Sequence, residues 1–131
     1  MSSEIQLGTT TAPGLHQFLV DQVLPRYFSG GKRALDLGAG TGALALRLRE
    51  LGWDAIAADL NPAGYHAGIP FVEIDFNEQD FASRLGPGSF TLITSVEVIE
   101  HAENPISFLR NIGRLLTPDG VAVLKIGRAH V

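Results

Sequence analysis

The segment from residue 33 to residue 51 constrains the fold of this chain more than any other. Residues 33–37 (RALDL) are a short apolar run typical of a buried strand, and residues 38–42 (GAGTG) supply three glycines directly after it. Residues 43–51 (ALALRLREL) have high helix propensity, and Gly52 stands where a helix commonly ends. Glycines allow a tight turn in which backbone N–H groups approach a ligand at the start of a helix. We therefore predict a strand, a ligand-binding turn (residues 38–42, called the glycine turn below) and a helix.

Strand and helix patterns alternate along the rest of the chain. Apolar residues at helical spacing predict a helix over residues 15–28, bent near Pro25, and another over residues 105–116, ended by the turn residues 117–120. Further strands are predicted over residues 54–60, 69–76, 90–95 and 121–126. Only residues 61–68 separate the first two of these, enough for one helical turn capped by Asn61. Because parallel strands need crossover connections, the pattern predicts an α/β fold with a doubly wound, mostly parallel sheet.

Composition and charge exclude several classes of protein. With 131 residues, 45% of them hydrophobic, we expect a flexible N-terminus over residues 1–13 and one ligand-binding domain over residues 14–131. A net charge of −4 without a basic cluster argues against a nucleic-acid partner. The absence of cysteine and the four dispersed histidines argue against a metal site. No apolar run approaches the roughly 18 residues of a membrane span, and the N-terminus lacks a signal-peptide pattern, so we expect a cytoplasmic protein.

The carboxyl ends of the predicted strands are the place to look for a site, because ligands of parallel sheets bind along that edge. Four strands place one acidic side chain each near it: Asp36, Asp59, Asp75 and Glu97. The glycine turn lacks the Lys-Ser/Thr ending of a nucleoside triphosphate loop, which excludes that class. The spacing Gly38-x-Gly40-x-x-Ala43 also satisfies the dinucleotide pattern. The turn alone therefore fits a nicotinamide or flavin cofactor as well as S-adenosylmethionine.

Two of these acids carry further information about the ligand. Asp59 lies 17 positions after Gly42 (59 minus 42), where a carboxylate can accept both hydroxyls of an adenosine ribose, as either kind of cofactor requires. Asp36 precedes the first glycine by two residues, where dinucleotide folds usually keep an apolar residue. A carboxylate there suits the ammonium and sulfonium of S-adenosylmethionine and repels a pyrophosphate. Asp36 therefore favours S-adenosylmethionine.

Four stretches of the sequence together carry a family resemblance. LDLGAGTG, AADL, EIDF and FTLITSVEVIEHAENPISFLRNIGRLLTPDG resemble the class I S-adenosylmethionine-dependent methyltransferases, over nearly all of the chain after residue 12. The Glu-x-x-Glu-His stretch is similar to that of bacterial quinone-biosynthesis methyltransferases. The resemblance implies transfer of a methyl group to a small-molecule acceptor. An NAD(P)-dependent oxidoreductase and a non-catalytic module that binds S-adenosylmethionine are the alternatives.

The resemblance also implies a role for each site residue. Its cofactor residues fall into three groups: Asp36, Gly38, Ala39, Gly40, Thr41 and Gly42 at the methionine moiety; Asp59 at the ribose; and Asp75, Phe76 and Leu60 around the adenine. Ser95 and Glu97 would line the methyl-transfer side, with Glu97 and His101 as the candidate catalytic residues. Each has an alternative: Asp75 as a helix N-cap, His101 as a hydrogen-bonded loop residue, and Asp59 as a cap of the following turn.

The end of the sequence predicts that the chain is a fragment. The family's fold has two more strands after the fifth, so residues 121–126 (VAVLKI) are expected to form an open edge that invites association. One reading frame of a common sequencing adaptor encodes IGRAHV, the sequence of residues 126–131. We hypothesise that this tail is not native. A genuine stop codon after Val131 in the uncut coding sequence would show instead a real short C-terminus.

Overall fold

The structure, a computed structural model, describes residues 4–8, 17, 21, 32–62, 65 and 68–127. Its centre is a six-stranded parallel sheet of order β1-β6-β5-β2-β3-β4. The strands are β1 (Glu4–Gly8), β2 (Arg33–Leu37), β3 (Asp54–Asp59), β4 (Phe71–Glu73), β5 (Phe90–Val96) and β6 (Leu116–Lys125). The helices are α1 (Ala43–Glu50) and α2 (Pro105–Leu115), with short 3-10 helices at Phe81–Arg84 and Ile99–His101.

Helices cover both faces of this sheet, as the predicted doubly wound α/β fold requires. Leu44, Ala45 and Leu48 of α1 are buried on one face, and Phe108, Ile112 and Leu115 of α2 on the other. Helix α2 begins sharply because Pro105 suits the first helical position and Oδ1 of Asn104 accepts a hydrogen bond from the Ser107 N–H at 3.1 Å. None of the described helices has the length and apolar character needed to cross a membrane.

Two predicted elements differ from their observed bounds by more than one residue. The strand predicted over residues 69–76 is reduced to Phe71–Glu73. Before it, the Tyr65 hydroxyl holds Ile69 in a loop, donating to the Ile69 carbonyl at 2.7 Å and accepting from its N–H at 3.0 Å. The prediction that residues 117–120 form the turn after α2 is also wrong, since β6 already begins at Leu116. These four residues interrupt its pairing with β5, whose Phe90 and Leu92 face Leu116 and Val121.

The N-terminal segment is the largest departure from the sequence-based expectation. Residues Glu4–Gly8 form a strand that pairs in parallel with residues 121–125 of β6, in place of an entirely flexible N-terminus. Strand β6 is therefore an inner strand, and the prediction that it forms an open edge is wrong. Strand β1 is the edge strand on this side of the sheet. The helix predicted over residues 15–28 lies outside the described residues, apart from the two isolated positions. Of the connection over residues 61–68, one turn is described, in which the Tyr65 N–H donates to the Pro62 carbonyl at 3.0 Å.

Candidate functional site

The glycine turn is fixed to the end of the neighbouring strand. The backbone N–H groups of Gly38 and Ala39 both donate to the carbonyl of Ala58, at 2.7 and 3.1 Å. Gly38 has a φ of +78°, and a Cβ atom there would overlap Cγ2 of Val98. Glycine is therefore required at position 38 both by the backbone conformation and by the close approach of Val98.

The end of the turn leads directly into α1. Gly42 is the residue before the helix, and its carbonyl accepts from the Leu46 N–H at 2.9 Å. It has no side chain with which to cap the helix, and Thr41 beside it is exposed. The N–H groups of the first helical turn are consequently open to an external acceptor.

Asp59 is joined to the glycine turn by its side chain. Oδ2 of Asp59 accepts a hydrogen bond from the Gly40 N–H at 2.9 Å, and Oδ1 accepts one from the Leu60 N–H at 2.7 Å. The carboxylate thus spans from the end of β3 to the middle of the turn. Because each carboxylate oxygen has two lone pairs, both can accept a further hydrogen bond from a ligand.

Asp36 lies buried in the middle of the sheet. Its side chain is paired across β2 and β5 with Thr94, whose hydroxyl donates to Oδ1 of Asp36 at 2.9 Å. Burial raises the pKa of the Asp36 carboxyl from its ordinary value of 3.8 to about 7, while the Thr94 hydrogen bond lowers it and the charge of Asp59 raises it. The sequence suggested a carboxylate that is simply ionised at pH 7. In the structure the pKa of this carboxyl lies close to pH 7, so that it can gain or lose a proton there.

A cavity of about 150 Å³ opens beside the ends of β3, β4 and β5. Its lining residues are Leu60, Asp75, Phe76, Asn77, Val98, His101 and Ala102. The structure thus brings together the three residues predicted for the adenine and also His101. Leu60 is a large apolar side chain that remains 57% exposed. Phe76 is held from behind by edge-to-face contacts with Phe81 and Phe108, at centroid distances of 5.7 and 6.0 Å.

Asp75 forms a local turn rather than the helix N-cap that was its alternative. Its Oδ1 accepts from the Asn77 N–H at 2.9 Å, and its carbonyl accepts from the Glu78 N–H at 3.0 Å. After Asp75, the next helix of the described chain begins only at Phe81. The second carboxylate oxygen remains available at the cavity wall.

The candidate residues at the end of β5 and directly after it are placed in different surroundings. Ser95 is 1% exposed, and its hydroxyl has no hydrogen-bond partner among the described residues. Strand alternation puts Ser95 on the face opposite to Thr94 and Asp36. Glu97 has a φ of +55° and lies 3.4 Å from the Lys125 ammonium. His101, by contrast, is exposed in a 3-10 helix at the cavity. Ser95 and Glu97 therefore do not line the cavity that His101 does.

Sequence reasoning missed three residues of this region. Thr94 and Asn77 donate hydrogen bonds to the side chains of Asp36 and Asp75, and Val98 approaches Gly38 so closely that a Cβ atom has no room there. A polar residue two positions after Asp75 was a signal for a side-chain turn. The other two contacts cross the sheet, so that their discovery required the strand register. Among the described residues, no group of three or more acidic, histidine or cysteine side chains could hold a metal ion.

The fold of the described residues is that of known methyltransferases. The phosphoethanolamine N-methyltransferase 2 of Haemonchus contortus, solved with phosphomonomethylethanolamine and S-adenosylhomocysteine, is similar with a TM-score of 0.67 and 23% identity, over 84% of this chain and 27% of that one. A Haloferax volcanii methyltransferase, solved in complex with the Trm112 methyltransferase activator, has a TM-score of 0.62 and 25% identity, over 81% of this chain and 50% of that one. The fold class is therefore the Rossmann-like sheet of class I methyltransferases.

The sequence comparisons identify the family. Residues 13–130 match the model of a methyltransferase domain family. A ubiquinone biosynthesis O-methyltransferase of Xanthomonas campestris pv. campestris is 34% identical over 118 residues, covering 84% of this chain and 49% of the relative. The chain belongs to this methyltransferase domain family, which confirms the resemblance found in the sequence. It spans about half the length of the curated relatives it matches.

Proposed function

We propose that this protein binds S-adenosylmethionine and transfers its methyl group to a small-molecule acceptor. The observation that carries the proposal is the continuous row formed by the glycine turn, the Asp59 carboxylate and the cavity of Leu60, Asp75 and Phe76. Along this row lie backbone N–H groups, then a carboxylate that can accept the ribose hydroxyls, then a cavity for a flat ring. S-adenosylmethionine presents its carboxylate, ribose and adenine in the same order. Family membership supports the same cofactor.

Each part of the row has a stated task in this proposal. The N–H groups of Gly38, Ala39, Gly40 and Gly42 already donate within the protein, so the Thr41 N–H and those of the start of α1 bind the carboxylate of the methionine moiety. Asp36 balances the positive charge of that moiety. The Asp59 oxygens accept the ribose hydroxyls. The free oxygen of Asp75 accepts from the adenine amino group, with Leu60 and Phe76 against the two ring faces. When bound, S-adenosylmethionine would supply a methyl group attached to a sulfonium. An acceptor would attack the methyl carbon in line with the carbon–sulfur bond, and S-adenosylhomocysteine would leave.

The chain's own contribution to the reaction is chiefly positioning. Holding an acceptor in line with the methyl group and excluding water supplies much of the rate of such a displacement. Of the two candidate catalytic residues, we assign to His101 the role of accepting a proton from a hydroxyl or amine acceptor, because its side chain is exposed in the 3-10 helix after β5. Glu97 remains the second candidate, although its carboxylate pairs with Lys125. Ser95 remains a proposed cofactor residue on the methyl-transfer side. The proposed cofactor-binding domain covers residues 14–131.

The rival cofactor class is tested by thermal stability. S-adenosylhomocysteine should raise the melting temperature of the chain in a concentration-dependent way, and NADH or NADPH should not, because Asp36 disfavours a pyrophosphate. Stabilisation by the dinucleotides alone would overturn the proposal in favour of an oxidoreductase.

A non-catalytic module that binds S-adenosylmethionine is the second candidate, favoured by the pairing of Glu97, one of the two candidate catalytic residues, with Lys125. The protein should be assayed for S-adenosylhomocysteine formation with a panel of phenolic, hydroxyl and amine acceptors. Turnover with one of them supports the enzyme, whereas tight cofactor binding without turnover on any of them supports the module. We further propose a cytoplasmic location and no nucleic-acid partner, both of which rest on the sequence.

A further inference from the structure

Two loops line most of the cavity beside the ends of β3, β4 and β5, and each forms one wall of it. One loop follows β4 and carries Asp75, Phe76 and Asn77; the other follows β5 and carries Val98, His101 and Ala102. The two loops belong to different βα units, so nothing in the sheet itself fixes the distance between their tips. That distance determines whether a planar ring fits between the walls.

A hydrogen bond from side chain to backbone joins these loops. Oδ1 of Asn77 accepts from the N–H of Glu103 at 3.0 Å, across 26 positions of sequence. Glu103 follows Ala102 directly and precedes Asn104, the N-cap of α2. The bond therefore fastens the wall that follows β4 to the start of a helix packed firmly in the core.

Asn77 acts on its own loop as well. Its backbone N–H donates to Oδ1 of Asp75 at 2.9 Å, which turns the carboxyl and leaves its other oxygen for a ligand. Asn77 thus contacts the Asp75 carboxylate through its backbone and the loop after β5 through its side chain. When the side-chain bond is lost, the loop that carries Asp75 keeps the packing of Phe76 on Phe108 but loses this hydrogen bond to the second loop.

We propose that Asn77 is a positioning residue that sets the width of the cavity and the aim of Asp75 toward the amino group of a purine. This inference rests on the proposed function, since the purine is the adenine of S-adenosylmethionine. Asn77 is itself exposed, so water competes for its bonds and the effect of its removal is moderate.

The test compares three variants of the 131-residue chain. Asn77→Ala removes the bond to Glu103, Asn77→Asp keeps an oxygen acceptor at the same place, and Asp80→Ala removes surface contacts with Ser83 and Arg114 away from the cavity. Each is titrated calorimetrically with S-adenosylhomocysteine and with S-inosylhomocysteine, which lacks the amino group. The ratio of the two affinities reports the aim of Asp75, which a merely structural role would not change.

Asn77→Ala should weaken the binding of S-adenosylhomocysteine about two- to fivefold, which is the effect expected for the loss of one exposed hydrogen bond. It should also reduce the ratio of the two affinities. Asn77→Asp should restore both, and Asp80→Ala should change neither. If the ratio of the two affinities is unchanged in Asn77→Ala, the inference is overturned while the proposed function stands. This holds whether the variant binds S-adenosylhomocysteine as the parent does or loses both affinity and thermal stability. Failure of the parent chain to bind S-adenosylhomocysteine at all would overturn the proposed function and this inference with it.

Discussion

The backbone N–H of Gly40 donates a hydrogen bond of 2.9 Å to Oδ2 of Asp59, 19 residues further along the chain. This bond joins the glycine turn to the end of β3, so that the proposed methionine and ribose subsites are one connected unit. The side chain of Asp59 therefore has a structural task in addition to the ligand contact predicted from its position. Substitution of Asp59 should therefore change both ligand affinity and stability.

Replacement of Asp59 by alanine should weaken S-adenosylhomocysteine binding and also cost some stability. Hydrogen bonds to a charged group are worth roughly 1.5 to 3 kcal/mol, so the Kd should rise about 10- to 100-fold. Loss of the Gly40 and Leu60 bonds should lower the free energy of unfolding by about 1 kcal/mol, since both are exposed to water. Calorimetric titration and urea unfolding of mutant and parent measure the two effects. Equal affinities would remove Asp59 from the site.

The buried carboxyl of Asp36 should make stability depend on pH. Its pKa is 3.8 in the unfolded chain and about 7 when folded, so between these values the folded state holds the proton more tightly. The free energy of unfolding should therefore fall as pH rises from 4 to 7, by up to about 4 kcal/mol, and this contribution should then level off. Asp36→Asn keeps an acceptor for Thr94 but does not titrate, so the difference between parent and mutant isolates the effect. A constant difference from pH 5 to pH 8 would contradict it.

The same carboxyl should couple cofactor binding to proton release. S-adenosylmethionine is cationic near Asp36 in the proposed site, so it should favour the ionised carboxyl and bind more tightly as pH rises from 5.5 to 7. Titrations in two buffers of different ionisation enthalpy should show release of a fraction of a proton, which Asp36→Asn should abolish. Uptake of protons on binding would show that the ligand does not bring positive charge to Asp36.

Glycines 38 and 40 offer a matched pair for testing the close approach of Val98. Both have positive φ, +78° and +57°, but a Cβ atom meets Val98 only at Gly38 and nothing within 4 Å at Gly40. Gly40→Ala should cost about 1 kcal/mol for the left-handed backbone, and Gly38→Ala should cost more because a clash is added. The double variant Gly38→Ala with Val98→Ala should recover part of the excess. Equal thermal shifts for the two single variants would show that Val98 does not press on the turn in solution.

The sequence predicted most of the fold because strand, turn and helix signals agree locally over β2, the glycine turn and α1. It also placed Leu60, Asp75 and Phe76 near one another, because the carboxyl ends of parallel strands share an edge. The separation of Ser95 from Asp36 follows from strand alternation and required the register of β2 against β5. The raised pKa of Asp36 depends on complete burial, which no local pattern reveals. The pairing of β1 was missed because five residues with weak propensity become a strand only where β6 presents an unpaired edge.

That pairing leads to a last prediction, about the N-terminus. Removal of residues 1–8 should expose the N–H and C=O groups of β6 that face β1 over residues 121–125. In a parallel pair these are alternate backbone groups, so about half of the amides in that stretch should exchange hydrogen faster, while those bonded to β5 stay protected. The exposed edge should also promote association, seen by light scattering at increasing concentration. Removal of residues 1–3 alone is the matched control, because it leaves Glu4–Gly8 in place. If the amides of residues 121–125 exchange equally in the parent and in the shortened chain, β1 does not cover β6 in solution, and the open edge expected from the sequence would be correct.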